Sequence, residues 1–477
     1  MTAPRLRPIT GTHLYTLPRC ARAVALDIAG DRDLRRPLRD EEEFVLARGR
    51  AHEAEYVAGL GWTEPQYPRG DFLAGAAATR EMLARGVDGV LQGVLAEPRE
   101  GAADLVGIPD LLRREDGPSE LGDFHYVVGD VKSSSRPRGD QILQLSLYAH
   151  LLAGVQGRFP AAGFLVMKDG REESIDLAAF RPAFADALDR VRAIRAEPDT
   201  ARPFLSAACE SCRWSTVCES ELRSADDLSL VDGMTEGLRS MLETAGVRTA
   251  RGLARAQVAR LARDTHVEGA LLRRLSRAAK ARVQGAPLAE RRPECGDENG
   301  IAILHLLRDE FRDRVLAFGA LVESPSGPDF VAAIPPDRDL EWAAFERLVV
   351  ALPPGVKLFH FGRTLRTWFA RNAADRPGVL GIENRFVDCE RRLRSAASWP
   401  EPITDLASLV RVGLGRDPHR AGRVAAAAMW DGAQAESRLC AKLQADLDDL
   451  HALVVRWLRG SAGADRADPQ APIEVGG

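Results

Sequence analysis

Residues 107–132 read GIPDLLRREDGPSELGDFHYVVGDVK, and this stretch indicates the strands around which the first part of the chain is built. Its second half is rich in valine with polar edges, which is typical of a β-strand. Side chains two positions apart on a strand share a face, so Asp130 and Lys132 project together. Asp110 lies on a strand or at its end, and if that strand is the neighbour, two carboxylates meet. Such a pair suits hard cations such as Mg²⁺ or Mn²⁺.

This arrangement has the chemistry that phosphodiester hydrolysis requires. A bound divalent cation lowers the pKa of its water and polarises a phosphoryl oxygen. Lys132 can then position the water or stabilise the charge that develops in the transition state. The alternative is a surface salt bridge between Asp130 and Lys132, because aspartates are abundant and exposed ion pairs are common.

Two flanking features favour the catalytic interpretation. Residues 140–157, DQILQLSLYAHLLAGVQG, read as a helix in which Gln144 and Tyr148 share one face and can present an amide and a phenol to the same site. Upstream, GRAHE places His52 in a polar helix, where an imidazole can add a metal ligand. The alternatives are a packed tyrosine, a surface glutamine and a histidine that binds no metal.

The surrounding sequence predicts an α/β core with mixed strands between about residues 10 and 222. A helix is expected over 40–61, strands over 88–97 and 124–133, and a hairpin over 161–177 that turns at Asp169-Gly170.

The composition is that of a folded protein and excludes a wholly disordered or fibrous chain. Hydrophobic residues make up 45% and charged residues 28% of the 477 residues. No run approaches the roughly 18 apolar residues that a membrane helix needs, and the first residues have no apolar stretch of signal-peptide length, so we expect a cytoplasmic protein without membrane contact. The net charge is −4, so any contact with nucleic acid has to come from local basic patches.

The seven cysteines are not distributed like a disulfide framework, since their number is odd and no export signal is evident. Three of them fall within ten positions, as Cys209-x₂-Cys212-x₅-Cys218, and Cys20 is the one near the start of the same domain. Metal ligation and plain burial are the two interpretations that remain.

Four short motifs occur in an order that resembles the RecB-type branch of the PD-(D/E)xK nucleases: Gly49-x-x-His52, Gly107-x-Pro109-Asp110, Asp130-x-Lys132 and Gln144-x-x-x-Tyr148. The resemblance implies a restriction-endonuclease-like fold that cleaves DNA, as single strands or at duplex ends, in exonuclease fashion. It implies metal binding by His52, Asp110 and Asp130 and a catalytic role for Lys132. Gln144 and Tyr148 would support them from a helix that contacts the DNA strand. No nucleoside-triphosphate loop occurs, so any helicase would be a separate partner.

The cysteines are similar to those of the iron-sulfur subfamily of these nucleases, which includes AddB and relatives associated with CRISPR systems and replication helicases. There, one early and three late cysteines hold a [4Fe-4S] cluster that clasps the ends of the domain. Zinc is the alternative because four thiolates suit it equally well, although zinc modules typically use two close pairs. Closing so long a loop would remove roughly 5 kcal/mol of chain entropy from the unfolded state.

The rest of the chain resembles a bacterial family of RecB-like nucleases with a C-terminal RNase H-like domain. The expected division is a nuclease domain over 1–222, a helical connector over 223–290, an RNase H-like domain over 296–460 and a disordered tail over 461–477. The connector resembles a helix-hairpin-helix insert, and between residues 248 and 282 it has ten basic residues against two acidic ones. Its two interpretations are a phosphate-contacting surface and solvated helix faces.

We expect the RNase H-like domain to be catalytically silent. Active relatives carry Asp-x-Glu on the first strand, whereas this strand, IAILHLL, has His305 in that place, and the segment GRTLRTW lacks the next acid. The later acids are matched by Asp388 and by one of the aspartates at 446, 448 and 449. The alternative is a shifted first strand that brings Asp309 or Glu310 into place. A rival for the whole chain is a non-catalytic nucleic-acid-binding or scaffold protein.

Overall fold

The structure is a computed structural model that describes residues 7–99, 102–290, 301–309, 312–324, 326–373, 376, 381–417 and 434–459. The chain divides into two compact units whose boundary lies between Glu219 and Ser220. In the described part of the chain, no helix has both the length and the apolar character that crossing a membrane requires.

The first unit alternates helices and strands, as the sequence predicts. Its helices are α1 (Gly11–Thr16), α2 (Ala21–Ala29), α3 (Asp40–Ala58), α4 (Phe72–Ala84), α5 (Gly139–Gln156), α6 (Leu177–Ala196) and α7 (Ser215–Ser224), which ends just beyond the boundary. Its strands are β1 (Ile9–Thr10), β2 (Gly89–Leu91), β3 (Leu95–Arg99), β4 (Ala102–Gly107), β5 (Leu111–Ser119), β6 (Gly122–Val131), β7 (Ala162–Val166) and β8 (Glu172–Asp176).

The central sheet of this unit is mixed, with the strand order β2-β5-β6-β7-β8. Strands β6 and β7 are parallel, and the other neighbours are antiparallel. A second sheet has the order β1-β4-β3, in which β1 pairs parallel to β4. Helix α5 packs against β6 and α6, and its buried residues Leu145 and Leu152 join Val128 and Leu165 of the sheet in one hydrophobic core. The predicted mixed α/β class is therefore confirmed.

One predicted strand is wrong in detail. Residues 88–97 form two strands, because Gln92 takes a positive φ of 48° and Gly93 follows it. A Cβ atom at Gly93 would lie 2.6 Å from Leu112 Cδ1, so a side chain does not fit there. The predicted hairpin at Asp169-Gly170 is confirmed: β7 and β8 pair antiparallel, and Gly170 has φ +78°.

The second unit begins with helices and continues with a sheet. Its helices are α8 (Glu236–Thr244), α9 (Ala250–Arg255), α10 (Val258–Thr265), α11 (Gly269–Gln284), α12 (Glu341–Val350), α13 (Thr364–Asn372), α14 (Cys389–Ala396), α15 (Leu406–Leu414) and α16 (Ala435–Val454). Its strands are β9 (Leu288–Ala289), β10 (Ile301–Asp309), β11 (Arg314–Ser324), β12 (Gly327–Ala333), β13 (Lys357–His360), β14 (Phe386–Asp388) and β15 (Ala397–Ser398).

The five-stranded sheet of the second unit has the order β12-β11-β10-β13-β14. The first three strands pair antiparallel, whereas β13 and β14 are parallel to the strands beside them. Helices α8 to α11 surround a hydrophobic cluster of their own, which includes Leu242, Leu253 and Leu275. A separate connector domain over 223–290 stays a prediction, and the expected tail over 461–477 lies outside the described residues.

Candidate active site

Two aspartates face each other where β5 begins and β6 ends. Leu111, the first residue of β5, is paired with Gly129 of β6. Because the strands are antiparallel, the residue before Leu111, Asp110, lies opposite the residue after Gly129, Asp130. The two carboxyl groups lie within hydrogen-bonding distance, and Asp110 Oδ2 also accepts a bond of 2.7 Å from the backbone amide of Val131. The strand register thus brings together the two acids that the sequence analysis paired.

A third carboxylate, Glu53 of α3, joins this pair through Gln92. The side-chain amide of Gln92 donates to Glu53 Oε1 at 2.6 Å and to Asp110 Oδ1 at 3.0 Å. Gln92 occupies the interruption between β2 and β3, where its positive φ turns the chain. Three acidic side chains from three separate segments therefore meet at one end of the central sheet.

Lys132 directly follows β6 and forms an ion pair with Asp130. Its ammonium group also donates to Gln144 Oε1 at 3.0 Å, and Gln144 Nε2 in turn donates to the hydroxyl of Tyr148 at 2.7 Å. Gln144 and Tyr148 lie one turn apart on α5, as their spacing predicts. The phenol of Tyr148 is buried beneath Gln144, so Tyr148 orients Gln144 from inside the core.

Two glycines make room for Tyr148. A Cβ atom at Gly107 would lie 2.6 Å from Tyr148 Cδ1, and one at Gly11 would lie 2.8 Å from Tyr148 Cε1 and its hydroxyl. Contacts this short are sterically excluded, and the atoms of Tyr148 that would be contacted belong to a rigid, buried aromatic side chain. The glycine of the Gly107-x-Pro109-Asp110 motif therefore has a packing role at the site.

His52 precedes Glu53 on α3. Its Nε2 atom is buried and has no hydrogen-bond partner among the described residues. A buried, unpaired ring nitrogen is uncommon in folded proteins and requires an explanation such as an absent ion or water. His52 is therefore a candidate ligand, although the structure records no contact between it and the three carboxylates.

The electrostatics of the site reflect crowded negative charge. Burial, followed by repulsion from Asp130, raises the pKa of Asp110 well above its usual value. Burial and then Asp130 also raise the pKa of Glu53. For Lys132, burial lowers the pKa but the attraction of Asp130 outweighs it, so the pKa lies above the usual value and the ammonium stays charged at neutral pH.

The four cysteines that the sequence analysis grouped line one small cavity of the first unit. Cys20 caps the beginning of α2, Cys209 and Cys212 belong to a short turn of 3₁₀ helix and its end, and Cys218 lies on α7. Burial and the neighbouring thiols raise the pKa of Cys218 to about 12. The fold thus brings Cys20 beside cysteines about 190 positions later in the sequence.

Neither group is a formed metal centre. In the part of the chain that the structure describes, no three His, Cys, Asp or Glu side chains stand in an arrangement that could hold a metal ion as they are. The carboxylates and the thiols are neighbours without a completed coordination shell.

The family comparison agrees with this geometry. Residues 24–219 match the family model of the PD-(D/E)XK nuclease superfamily, so the first unit contains a domain of that superfamily. Domains of this superfamily imply metal-dependent nuclease activity. No curated protein matches the chain.

Sequence reasoning missed Glu53 and Gln92. Glu53 follows His52 in the sequence, and residues adjacent on a helix point about 100° apart, so without the helix orientation the pattern could not show which of the two faces the aspartates. For Gln92 a signal existed, since Gly93 interrupts a valine-rich stretch, and a glycine inside a strand pattern indicates a bulge or break.

Proposed function

We propose that the first unit is a metal-dependent nuclease that hydrolyses phosphodiester bonds of DNA. The observation that carries this proposal is the convergence of Glu53, Asp110 and Asp130 beside the ammonium of Lys132. A nucleic acid substrate follows from the superfamily, and the choice of DNA rests on the RecB-type resemblance. Exonuclease mode, a helicase partner and a cytoplasmic location stay predictions.

The chemistry of these side chains suits a divalent cation such as Mg²⁺ or Mn²⁺, although among the described residues they form no completed coordination shell. Carboxylate oxygens are the ligands that hard cations prefer, and the repulsion among these acids is relieved by positive charge. Asp110 and Asp130 would hold the ion, with Glu53 and the unpaired Nε2 of His52 as further ligands. When bound, such a cation polarises the phosphoryl group and acidifies the attacking water.

The lysine and the helix behind it have separate roles in this proposal. Lys132, kept protonated by Asp130, donates to the phosphoryl oxygen on which negative charge develops, and electrostatic stabilisation of this kind is a large contribution to catalysis. Gln144 fixes the direction of the ammonium by accepting one of its hydrogens. Tyr148 holds Gln144 in that orientation, which makes it a positioning residue.

The test is digestion of labelled single-stranded and duplex DNA, and of RNA, with Mg²⁺ or Mn²⁺. We expect Lys132→Ala to slow cleavage roughly a hundredfold or more, the usual effect of removing one preorganised donor. Lys357→Ala, which removes an exposed lysine of the second unit, is the matched control. Undiminished cutting by Lys132→Ala would overturn the assignment of this site.

The rival function is nucleic acid binding without catalysis. It predicts that wild-type protein binds labelled DNA but degrades neither DNA nor RNA with any divalent metal. Against it stands the cost of the site itself: partly buried acids with raised pKa values are unfavourable to the fold, and a purely binding protein gains nothing from them.

For the cysteine cavity we propose a structural [4Fe-4S] cluster. Four partly buried thiols around one small space are the donor set that iron-sulfur clusters and zinc share. Iron is favoured by the arrangement of one early and three late cysteines. Metal analysis of anaerobically purified protein separates the alternatives: stoichiometric zinc without iron would overturn the cluster but leave the nuclease proposal intact.

For the second unit we propose an RNase H-like domain without metal-dependent catalysis. In support, this unit has a five-stranded mixed sheet, and His305 lies in the middle of β10, where active relatives carry an acid. His305 Nε2 lies 3.5 Å from Asp446 Oδ2, and Asp446 also pairs with Lys442. Asp449 is paired with Arg416 at 2.5 Å. Acids that a metal pair would need are thus neutralised by cationic side chains.

The alternative first-strand acids do not favour catalysis either. Asp309 is buried and pairs with Arg312 at 3.0 Å, and Glu310 lies outside the described residues. The test is Asp446→Asn in the full chain, which should leave cleavage unchanged while Asp130→Asn abolishes it. Lost cleavage in Asp446→Asn, with an unchanged melting temperature, would show that the second unit is catalytic.

A further inference from the structure

A cluster of two arginines, a tyrosine and an aspartate lies at the beginning of α5. Arg19, from the turn after α1, and Arg138, the residue before α5, both donate to Asp140 Oδ2 at 2.7 Å. Both also donate to the hydroxyl oxygen of Tyr15, at 2.9 Å and 2.8 Å. Residues about 120 positions apart in sequence therefore share two acceptor oxygens.

In this cluster the two guanidinium groups are exposed to solvent, whereas the carboxylate is largely shielded from it. The side chains of Arg19 and Arg138 are each 44% exposed, whereas that of Asp140 is 11% exposed. Two guanidinium groups repel each other, so their close approach depends on the shared carboxylate and phenol. The result is a net charge of +1 in which two planar donors are held in fixed orientation towards solvent.

Tyr15 completes the arrangement. The guanidinium of Arg19 also lies over its ring, with Cζ 4.5 Å from the ring centroid. Its hydroxyl oxygen accepts from both arginines, and its hydroxyl hydrogen has no acceptor among the described residues. The cluster can therefore offer an O–H donor together with two guanidinium groups to one anion.

The position of the cluster relates it to the proposed active site. Arg138 precedes Gln144 by six residues, a rise of about 9 Å along a helix. Gln144 is the residue whose side-chain oxygen accepts a hydrogen bond from the ammonium of Lys132. Tyr15 is also near enough to Lys132 to interact with it electrostatically.

We propose that Arg19 and Arg138, aligned by Tyr15 and Asp140, bind a phosphate that flanks the scissile bond on the same nucleic acid strand. This proposal rests on the proposed nuclease function and adds to it a binding site outside the metal centre. Guanidinium groups bind phosphate oxygens through paired, charge-assisted hydrogen bonds. Contacts of this kind fix the register of a strand without reading its sequence.

The alternative is that the cluster only ties the first helices to α5. A structural tie affects the melting temperature, but it does not change how DNA affinity depends on salt. Each phosphate contact contributes to that dependence through counterion release, with a slope of about 0.7 per contact on single strands and about 0.9 on duplex.

The experiment measures binding of a fluorescein-labelled oligonucleotide, single-stranded and duplex, by fluorescence anisotropy in EDTA over a series of KCl concentrations. The full-length variants are Arg19→Gln, Arg138→Gln and the double variant. Arg192→Gln is the matched control, because this arginine of α6 is 43% exposed and lies 3.6 Å from the carboxylate of Asp189, outside the cluster. Arg19→Lys and Arg138→Lys retain the positive charge.

We expect each glutamine variant to bind roughly tenfold more weakly, as for other lost charge-assisted bonds. In the double variant, the slope of log affinity against log salt concentration should decrease by the amount that one phosphate contact contributes. The lysine variants should keep the wild-type slope, and Arg192→Gln should match wild type in affinity and slope. In cleavage assays of the glutamine variants, KM should rise by a larger factor than kcat falls. A double variant with wild-type affinity and slope would overturn this inference while cleavage by the wild type still supports the nuclease. A wild type that neither binds nor cuts would overturn the proposed function itself.

Discussion

Gln92 bonds twice to Asp110: its backbone N–H donates to the Asp110 carbonyl at 3.0 Å, and its side-chain amide donates to the carboxylate at 3.0 Å. The same amide reaches Glu53 at 2.6 Å. Gln92 has φ +48°, a region that residues with side chains seldom occupy. One residue with an unfavourable backbone thus aligns two of the acids, and strain of this kind is common at functional sites.

Gln92→Met should destabilise the metal-free protein by about 1–3 kcal/mol, because two partly buried carboxylates, those of Glu53 and Asp110, lose their shared donor. Methionine is similar in length and adds no backbone strain. Addition of Mn²⁺ should reduce the difference in unfolding free energy between wild type and Gln92→Met, since a bound cation interacts with the same carboxylate oxygens of Glu53 and Asp110. Thermal or urea unfolding with EDTA and with Mn²⁺ measures both effects. Gln66→Met, at an exposed site, is the control, and equal destabilisation of the two variants would contradict the assigned role.

Glu53→Gln should weaken Mn²⁺ binding and cleavage but stabilise the metal-free fold at neutral pH. The pKa of Glu53 is raised by burial and then by Asp130, so its ionised form is unfavourable in the folded state. The stabilisation relative to wild type should therefore appear as pH rises through the folded pKa and vanish at lower pH, where the wild-type carboxyl is protonated.

The measurements for Glu53→Gln are calorimetric titration with Mn²⁺ and melting curves in EDTA across pH. Glu55→Gln, an exposed position on the same helix, should change neither quantity. Wild-type Mn²⁺ affinity in Glu53→Gln would exclude Glu53 as a ligand.

Cys20→Ser should remove iron from the protein as completely as Cys209→Ser, although 189 positions separate the two residues. Both should lower the free energy of unfolding by several kcal/mol, up to the roughly 5 kcal/mol expected for closing so long a loop. Iron content per chain and urea unfolding are the measurements. Cys440→Ser, in α16, should retain iron and stability. Full iron occupancy in Cys20→Ser would remove this residue from the ligand set.

His13→Gln should make the stability of the protein less sensitive to acid. His13 is buried in α1, and burial lowers its pKa to about 4 from 6.5. Because the unfolded state binds the proton more tightly, wild-type stability should fall as pH falls from 6.5 to 4, by up to about 3 kcal/mol.

Glutamine at position 13 can still accept the Thr10 amide hydrogen that His13 Nδ1 accepts at 3.0 Å, and it does not titrate. Urea unfolding of both proteins at several pH values within that window is the measurement. Parallel pH profiles for wild type and His13→Gln would show that His13 does not control the acid sensitivity.

The sequence alone was sufficient to predict those interactions that depend on the periodicity of a single strand or helix. Alternation along a strand predicts that Asp130 and Lys132 share a face, and helical spacing predicts that Gln144 and Tyr148 do. The antiparallel partner of β6 then brings Asp110 to the same place. These predictions succeed because each uses the geometry of one element or of two adjacent strands.

Contacts between distant elements could not be predicted in this way. The orientation of α3 decides whether His52 or Glu53 faces the aspartates, and that orientation is set by tertiary packing. The approach of Tyr15 and Arg19 to α5 depends on how the first helices pack, which no local pattern shows. The burial of Tyr148 depends equally on Gly11, more than a hundred residues earlier.

The family match starts at residue 24, but the folded unit starts earlier. Ile9 and Thr10 form strand β1, and the segment that follows supplies the glycine against the buried tyrosine, half of the arginine pair and the first cysteine. A chain shortened to the limits of similarity would lose a strand partner of β4 and leave a void beside α5. The region that matches the family is therefore shorter than the folded unit, and expression of the first unit alone has to include the residues before position 24.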